Sequence, residues 1–195
     1  AEKLIKLDKA YACFCSQNKI RENRAKGKTS KCRSFEAELS LKEWKDLLKK
    51  GDYVLRLKID IKHQNTSMRD PIIMRVVNAN HPRVGKKYRI WPTYDFATSV
   101  MDGLEGITHR IRTKEFELRR ELHNHIQKLL GFNPTNIYEM ARFNIKGAIT
   151  SGRIIREKIE KRELTGWDDP SLTTLIALRK RGFLPQAIRN FVLST

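Results

Sequence analysis

The stretch "NIKGAITSGR", residues 144–153, combines residue types that bind phosphate groups. Ser151 offers a hydroxyl group, Gly152 lets the backbone approach a ligand closely, and Arg153 carries a fork of hydrogen-bond donors. The stretch precedes a predicted helix, whose first N–H groups favour anions. An ordinary turn before a surface helix has the same pattern, and neither GxGxxG nor GxxxxGK[ST] is present. Alone, the stretch is a weak phosphate-binding motif.

Three cysteines, Cys13, Cys15 and Cys32, have a spacing that a zinc site could use. A fourth ligand is not evident, because His63 is the nearest histidine in sequence and Ser30 is a poor ligand. The alternative is three ordinary thiols in a reduced protein. An odd number of cysteines does not indicate a disulfide framework, so we expect a reducing, cytoplasmic setting.

Two further stretches could contact a ligand. "RIRTK", residues 110–114, ends a predicted strand, and ligands of open α/β sheets gather at the carboxyl ends of strands. Arg112, Thr113 and Lys114 are then expected near a ligand, although an exposed basic turn explains them equally well. "WPTYDF", residues 91–96, marks the entry to a helix, and its spacing alone favours a packed aromatic corner. His123 and His125 are two apart on a predicted helix, which favours surface or part-buried side chains over a metal site.

The net charge of the chain points to a polyanionic partner. Its 195 residues include 40 Lys and Arg against 22 Asp and Glu, which gives a formal charge of +18. Nucleic acid is the commonest partner of such a chain, and an anionic membrane surface is the weaker alternative. No apolar run reaches the ~18 residues that a membrane span needs. The N-terminus is unlike a signal peptide and lacks Met, so we expect a piece of a longer chain.

Hydrophobic periodicity predicts the elements that must position these residues. Strands are predicted at 52–61, 71–77, 87–91 and 107–112, with Arg56 on the exposed face of the first. Helices are predicted at 1–11, 40–51, 94–106, 114–131, 152–163 and 169–182, and after Pro185. Ser40 is expected to cap the second helix. Leu118 is expected on the buried stripe of the fourth. The pattern indicates an α/β protein.

Three long stretches together resemble one family. They are "RDPIIMRV", "WPTYDFATSVMDGLEGITHRIRTKEFELRR" and "GWDDPSLTTLIALRKRGFLPQAIRNF", in this order. They are similar to class I aminoacyl-tRNA synthetases of the glutamyl and glutaminyl group, archaeal and eukaryotic branch, over nearly the whole chain. The resemblance implies that an amino acid is activated with ATP and Mg²⁺ and then transferred to the 3′ end of tRNA.

The resemblance also implies a domain organisation. Residues 1–90 correspond to the α+β module that binds the acceptor stem, 91–145 to the second half of the Rossmann catalytic fold, and 146–195 to a helical stem-contact region. The His-x-Gly-His signature of the family does not occur in these residues. We expect it before Ala1 and the anticodon-binding barrels after Thr195, and we expect the isolated chain to be inactive.

By resemblance, "ITSGR" falls where the family has the KMSKS-type loop that closes over ATP. Thr150 stands in place of Met and Gly152 in place of the key Lys, whereas Ser151 and Arg153 match. This departure leaves open which cation meets the ATP phosphates. The other positions that match residues beside ATP are Thr113, Arg142 and Phe143.

The same resemblance predicts the amino acid. Tyr94 matches a residue that contacts the substrate, and the position of Arg112 separates the two specificities. An arginine suits the carboxylate of glutamate through a bidentate pair, whereas glutaminyl enzymes have a small neutral residue there. The prediction is therefore a glutamyl-tRNA synthetase, with a glutaminyl enzyme as one alternative. A non-catalytic RNA-binding module on the same fold is the other alternative.

Overall fold

The computed structural model describes residues 1–47, 53–141, 143 and 145–194. The chain forms two compact units, Ala1–Ala141 and Arg142–Thr195. The first unit contains α1 (Glu2–Lys6), β1 (Ala10–Cys13), α2 (Gln17–Ala25), α3 (Ala37–Leu47), β2 (Val54–Leu57), β3 (Ile72–Val76), β4 (Ile90–Pro92), α4 (Tyr94–Glu105), β5 (His109–Thr113), α5 (Arg120–Leu130) and β6 (Asn136–Met140). The second contains α6 (Gly152–Glu160), α7 (Leu175–Lys180) and α8 (Pro185–Ser194). Short 3₁₀ helices cover Lys31–Ser34, Thr66–Met68 and Lys114–Arg119.

The first unit has two sheets of different kinds. β1 to β4 form an antiparallel sheet in chain order, and β5 pairs with β6 in a parallel ladder. The antiparallel sheet is irregular in one place, because Leu55 pairs with Met74 but Arg56 pairs with Ile72. β3 thus carries one extra residue, Ile73, which forms a β-bulge and is fully buried. The chain is therefore α/β with mixed strand directions, as the sequence indicates.

One apolar core joins these elements. It combines residues of the antiparallel sheet with residues of α4 and α5, chiefly Leu55, Leu57, Ile73, Phe96, Leu122 and Ile126. α4 and α5 pack against each other, and Gly103 lets the ring of Phe132 approach α4, since a Cβ there would lie 2.2 Å from the ring. The second unit has a smaller core around Ile155, Leu172 and Ala177. Each unit thus has a core of its own.

Most strand and helix predictions hold with shifted bounds, and several details are wrong. The helix predicted over 1–11 is wrong beyond Lys6, because Ala10–Cys13 forms β1 and pairs with β2. Arg56 is 6% exposed rather than on an exposed face, because the segment around Asp70 covers that side of β2. Ser40 lies inside α3 rather than at its start. Leu118 is exposed, because a 3₁₀ helix precedes α5 and changes the angular spacing. The predicted end of α3 at Gly51 lies outside the described residues.

Two further expectations also fail. The helix expected from Asp169 begins only at Leu175, where Thr174 accepts a hydrogen bond from Ala177 N at 3.1 Å and caps it. The prediction of a surface or part-buried His123 is wrong, since its side chain is 1% exposed beside Asp102. In the described part of the chain, no helix is both long enough and apolar enough to cross a bilayer.

Candidate active site

The centre of the candidate site is a buried ion pair on the parallel ladder. Arg112 of β5 and Glu139 of β6 are direct neighbours, and Arg112 Nη2 donates to Glu139 Oε1 at 3.2 Å. Both side chains are 5% exposed. Arg120 donates to the same carboxylate from the start of α5. Hydrogen bonds from Arg120 and Arg112 hold the pKa of Glu139 below its ordinary value.

This cluster carries an excess positive charge. Two guanidinium groups face one carboxylate, so one unit of positive charge is left over. Arg112 Nε is buried and has no hydrogen-bond partner among the described residues. A buried donor without a partner costs free energy, on the order of 1–3 kcal/mol. The cluster is therefore suited to a ligand that brings a carboxylate.

An aromatic pair lies beside Arg112. The rings of Tyr94 and Phe116 have centroids 4.8 Å apart, and Arg112 Cζ is 5.9 Å from the Phe116 centroid. Tyr94 is 41% exposed at the first position of α4. Arg110 stands near Tyr94 and donates to Asp102 from Nε at 2.5 Å, which raises the pKa of Arg110. Tyr94 and Arg112, which are 18 positions apart in sequence, thus flank one ring.

The "ITSGR" stretch leads into α6 in the second unit. Gly152 is the first residue of the nine-residue helix, and Ser151 precedes it without a capping bond from its side chain. Arg153 has a side chain that is 84% exposed, with Nε 3.8 Å from Glu157 Oε1. A surface pair of this kind is weak, so the arginine can turn to another anion. The start of α6 offers backbone N–H groups, a hydroxyl and a guanidinium within three residues.

The three cysteines converge in the first unit. The Sγ atoms of Cys13, Cys15 and Cys32 all lie within 4.8 Å of one another, and those of Cys15 and Cys32 are 3.7 Å apart. Desolvation raises the pKa of Cys15 and of Cys32, so both thiols are protonated at neutral pH. His63 is engaged elsewhere, with Nε2 3.4 Å from Glu121. Three sulfur donors in one place fit a zinc ion that takes its fourth ligand from outside this set.

The comparison with protein families decides what the chain is related to. A family model described as class I tRNA synthetases (E and Q), catalytic domain, matches residues 1–195. The chain belongs to this synthetase family. The resemblance of the three long stretches is thereby confirmed over the full length of the sequence.

Several curated relatives of this synthetase chain carry the same name. The glutamate–tRNA ligases of Korarchaeum cryptofilum and Nitrosopumilus maritimus are each 42% identical over 98% of the chain, and that of Pyrococcus horikoshii is 40% identical over 99%. The chain covers 34%, 34% and 35% of these relatives. It therefore spans about a third of the length of the curated relatives that it matches.

Solved structures support the fold of the synthetase chain. A crystal structure of a glutamate tRNA ligase from Elizabethkingia meningosepticum, in complex with its amino acid, superposes with a TM-score of 0.56. It is 20% identical, and the match covers 98% of this chain and 41% of that one. The glutamate–tRNA synthetase of Elizabethkingia anophelis gives a TM-score of 0.52 at 20% identity. At this identity the likeness concerns the fold alone.

The residues predicted from sequence fall into separate groups in the synthetase chain. Tyr94, Arg112 and Thr113 lie in the first unit, with Thr113 exposed at the end of β5. Phe143, Thr150, Ser151, Gly152 and Arg153 belong to the second unit. Arg142 lies outside the described residues. The structure brings Tyr94 and Arg112, the two candidate glutamate-binding residues, together around Phe116. Their role in binding glutamate stays a prediction.

Sequence reasoning missed the partners of the site. Phe116 is four residues after Arg112, but the pattern around it predicts only a helix. Glu139 is not identified, because hydrophobic periodicity predicts no strand between 131 and 145 and so does not show which residue lies opposite Arg112. The signal for that strand is the alternation of "NIYEM", in which Ile137 and Glu139 are less exposed than the residues on either side of them.

Proposed function

We propose that the chain is part of a glutamyl-tRNA synthetase and binds glutamate, ATP and the acceptor stem of tRNA. The observation that carries the proposal is the buried Arg112 cluster, with one unit of positive charge that its own carboxylate does not balance. The reaction joins the α-carboxylate of glutamate to the α-phosphate of ATP and releases pyrophosphate. A terminal ribose hydroxyl of tRNA then attacks the glutamyl-adenylate and releases AMP.

Arg112 is proposed to read the side chain of the amino acid. Its guanidinium can pair with the glutamate carboxylate through two parallel hydrogen bonds, using the Nε that has no partner. Glutamine would leave part of this charge buried and unpaired, which penalises the wrong substrate. Glu139 fixes the orientation of Arg112 from the neighbouring strand. The names of the curated relatives support glutamate over the glutaminyl alternative.

The start of α6 is proposed to bind the phosphates of ATP. Backbone N–H groups at Gly152 and Arg153, with the hydroxyl of Ser151, can donate to phosphate oxygens. Mg²⁺ accompanies ATP and neutralises part of its charge. Thr113, Arg142, Phe143 and Thr150 are proposed to lie beside ATP on the strength of the family resemblance. Catalysis then consists of positioning and charge stabilisation, without a protein nucleophile.

The remaining parts of the chain are proposed to serve tRNA and metal binding. Residues 1–90 form the acceptor-stem module, 91–145 the second Rossmann half, and 146–195 the helical stem-contact region. The net charge of +18 supports RNA binding. Cys13, Cys15 and Cys32 are proposed to bind one Zn²⁺ ion that stabilises the acceptor-stem module.

One observation favours a non-catalytic RNA-binding module as a second candidate. Gly152 takes the place of the key lysine of the family loop. ATP–pyrophosphate exchange separates the two proposals. The product of the whole reading frame should exchange with glutamate and much less with glutamine. These 195 residues alone should not form glutamyl-adenylate. A whole product that binds RNA but never exchanges would support the second candidate.

RNA binding gives an independent test. We expect the chain to bind a tRNA acceptor hairpin with an affinity that falls steeply between low and physiological salt. A salt-independent affinity, or no binding at low salt, would contradict the RNA-binding part of the proposal.

A further inference from the structure

A tryptophan lies beside the start of α6 in the second unit. A Cβ built on Gly152, the first residue of this helix, would lie 3.8 Å from Trp167 Cη2, which is ordinary van der Waals contact. The edge of the indole ring therefore borders the backbone that carries the free N–H groups of the first helical turn. α6 begins against an aromatic ring, directly after the hydroxyl group of Ser151.

The turn that carries Trp167 is closed by the carboxylate of Asp169. Its Oδ2 accepts a hydrogen bond from Thr165 N at 3.0 Å, and its Oδ1 accepts one from Ser171 N at 3.0 Å. The hydroxyl groups of Thr165 and Ser171 donate to the same two oxygens. These hydrogen bonds, first among them that of the Ser171 hydroxyl, hold the pKa of Asp169 far below its ordinary value. The turn therefore keeps its charged centre at neutral pH.

Thr174 ties the backbone of Trp167 to the core of the second unit. Its Oγ1 donates to the carbonyl oxygen of Trp167 at 2.6 Å and accepts a hydrogen bond from Ala177 N at 3.1 Å. Ala177 is fully buried, and it belongs to the same core cluster as Ile155 of α6. The backbone of Trp167 and the helix α6 thus rest on one core, which fixes the ring relative to the first turn of the helix.

The ring itself is more open to solvent than most tryptophans. Trp167 is 43% exposed, whereas tryptophan is highly buried on average. A ring that served only to fill the small core of this unit would be covered by it. A large aromatic side chain on a well-anchored backbone can exclude water from one side of neighbouring N–H groups. Donors that are partly shielded from water attract an anion more strongly.

We propose that Trp167 is a positioning residue for ATP, because its ring holds the first turn of α6 in place through Gly152. The inference rests on the proposed function, which assigns the ATP phosphates to this turn. Gly152 stands where the family has its key lysine, so backbone N–H groups have to do more of the binding in this chain. Such donors are effective only when their positions are fixed, and the indole ring supplies one wall that fixes them.

The test compares two aromatic residues of the second unit. In the product of the whole reading frame, Trp167→Ala should raise KM for ATP in ATP–pyrophosphate exchange by about tenfold and leave kcat nearly unchanged, because it removes binding made before the reaction. KM for glutamate should stay within about twofold. Phe183, which is 50% exposed between α7 and α8, is the control. Phe183→Ala should leave KM for ATP within about twofold, and equal rises in the two variants would overturn the proposal.

A conservative variant and a spectroscopic signal separate positioning from general damage to the fold. Trp167→Phe keeps a flat ring beside Gly152 and should restore most of the affinity for ATP that Trp167→Ala loses. The emission of Trp167 is obtained as the difference between the wild type and Trp167→Phe, so other tryptophans cancel. ATP with Mg²⁺ should change this difference, since charge arrives beside the ring, and glutamate alone should not. A difference that ATP leaves unchanged would contradict the proposal, even if Trp167→Ala does not fold.

The design distinguishes failure of this inference from failure of the proposed function. If the wild-type product neither exchanges pyrophosphate nor binds ATP, the ATP-binding part of the proposed function is wrong, and this inference is wrong with it. If the wild type exchanges normally but Trp167→Ala behaves like Phe183→Ala, only the role of Trp167 is refuted.

Discussion

Arg112 donates to Glu139 across two neighbouring parallel strands, and each side chain is only 5% exposed. Arg120 shares the same carboxylate from the protein surface, with a side chain that is 49% exposed. The pair is therefore held in place by backbone register on one side and by a second cation on the other. A buried arginine oriented in this way can select a ligand by charge.

The first prediction concerns amino-acid selection. In the product of the whole reading frame, Arg112→Cys should lower kcat/KM for glutamate by about 30- to 1000-fold, because removing the charged partner costs on the order of 2–4 kcal/mol. Glutamine should lose much less, so the preference should narrow or invert. The measurement is kcat/KM for both amino acids in the variant and the wild type.

Arg112→Lys is the matched control for this prediction. It keeps the charge but loses the planar fork, so it should retain part of the preference for glutamate. If glutamate and glutamine lose the same factor in Arg112→Cys, Arg112 is a structural residue and the specificity argument is wrong.

The second prediction concerns the missing lysine of the family loop. A Cβ at Gly152 would lie 3.8 Å from the ring of Trp167, which is ordinary contact, so a side chain fits there. Gly152→Lys should lower KM for ATP by about three- to tenfold, because it adds a cation where phosphates are proposed to bind. Gly152→Gln has similar length and no charge. If both variants change KM for ATP equally, the phosphates do not meet this position.

The third prediction concerns pH. Desolvation lowers the pKa of His123 to about 4, although Asp102 partly opposes this shift. The unfolded chain, with an ordinary histidine pKa, binds more protons between pH 4 and 6.5. The contribution of neutral His123 to the free energy of unfolding is therefore complete above pH 6.5. As the pH falls towards 4, the free energy of unfolding decreases by about 2–3 kcal/mol. Amide hydrogen exchange of α5 across this range measures it.

His123→Gln is the control for the pH effect. It keeps a polar group beside Asp102 and cannot be protonated, so the slope of stability between pH 4 and 6.5 should decrease. His125, whose pKa is also lowered by burial, stays in both proteins and cancels in the comparison. If the slope of stability against pH is unchanged, His123 has the same pKa in the folded and the unfolded chain, and the prediction is wrong.

The fourth prediction concerns the cysteines. Metal analysis should find about one zinc per chain, and Cys15→Ser should lose it. Zinc requires thiolates, whereas burial raises the pKa of Cys15 and Cys32, so binding should release protons and strengthen as pH rises. Ser30→Ala, at a neighbouring buried position, should keep the metal. A folded, metal-free chain with three thiols that react with a thiol reagent would contradict the proposal.

The sequence predicted those elements whose periodicity is set by one buried face. α4 and α5 bury one stripe each and end at Gly106 and Gly131, both in the left-handed conformation that favours glycine. The prediction from periodicity fails where tertiary packing also covers the second face of an element. Arg56 occupies an outward-facing position of an alternating strand, yet the segment around Asp70 buries it. Hydropathy along one strand carries no information on what a distant loop covers.

In the candidate site, too, some residues can be predicted from the sequence and others depend on tertiary structure. Arg112 and Tyr94 could be chosen from a resemblance, because both lie within one continuous matching stretch. Glu139 could not be chosen, because its role depends on the register of a parallel pair that is 27 residues apart in sequence.

The bulge at Ile73 has a consequence for comparing relatives of this chain. Because β3 holds one residue more than β2 opposite Leu55 and Arg56, the carbonyl of Asp70 comes within 2.9 Å of Arg56. Deleting one residue between 70 and 74 would draw the preceding segment along the strand by about 3.3 Å and move Arg69 away from Arg56. The length of this segment, more than the residues in it, thus marks which relatives can hold Arg56 against the carbonyl of Asp70. An aligned gap there would identify the chains that have lost this contact, even where Arg56 and Asp70 remain.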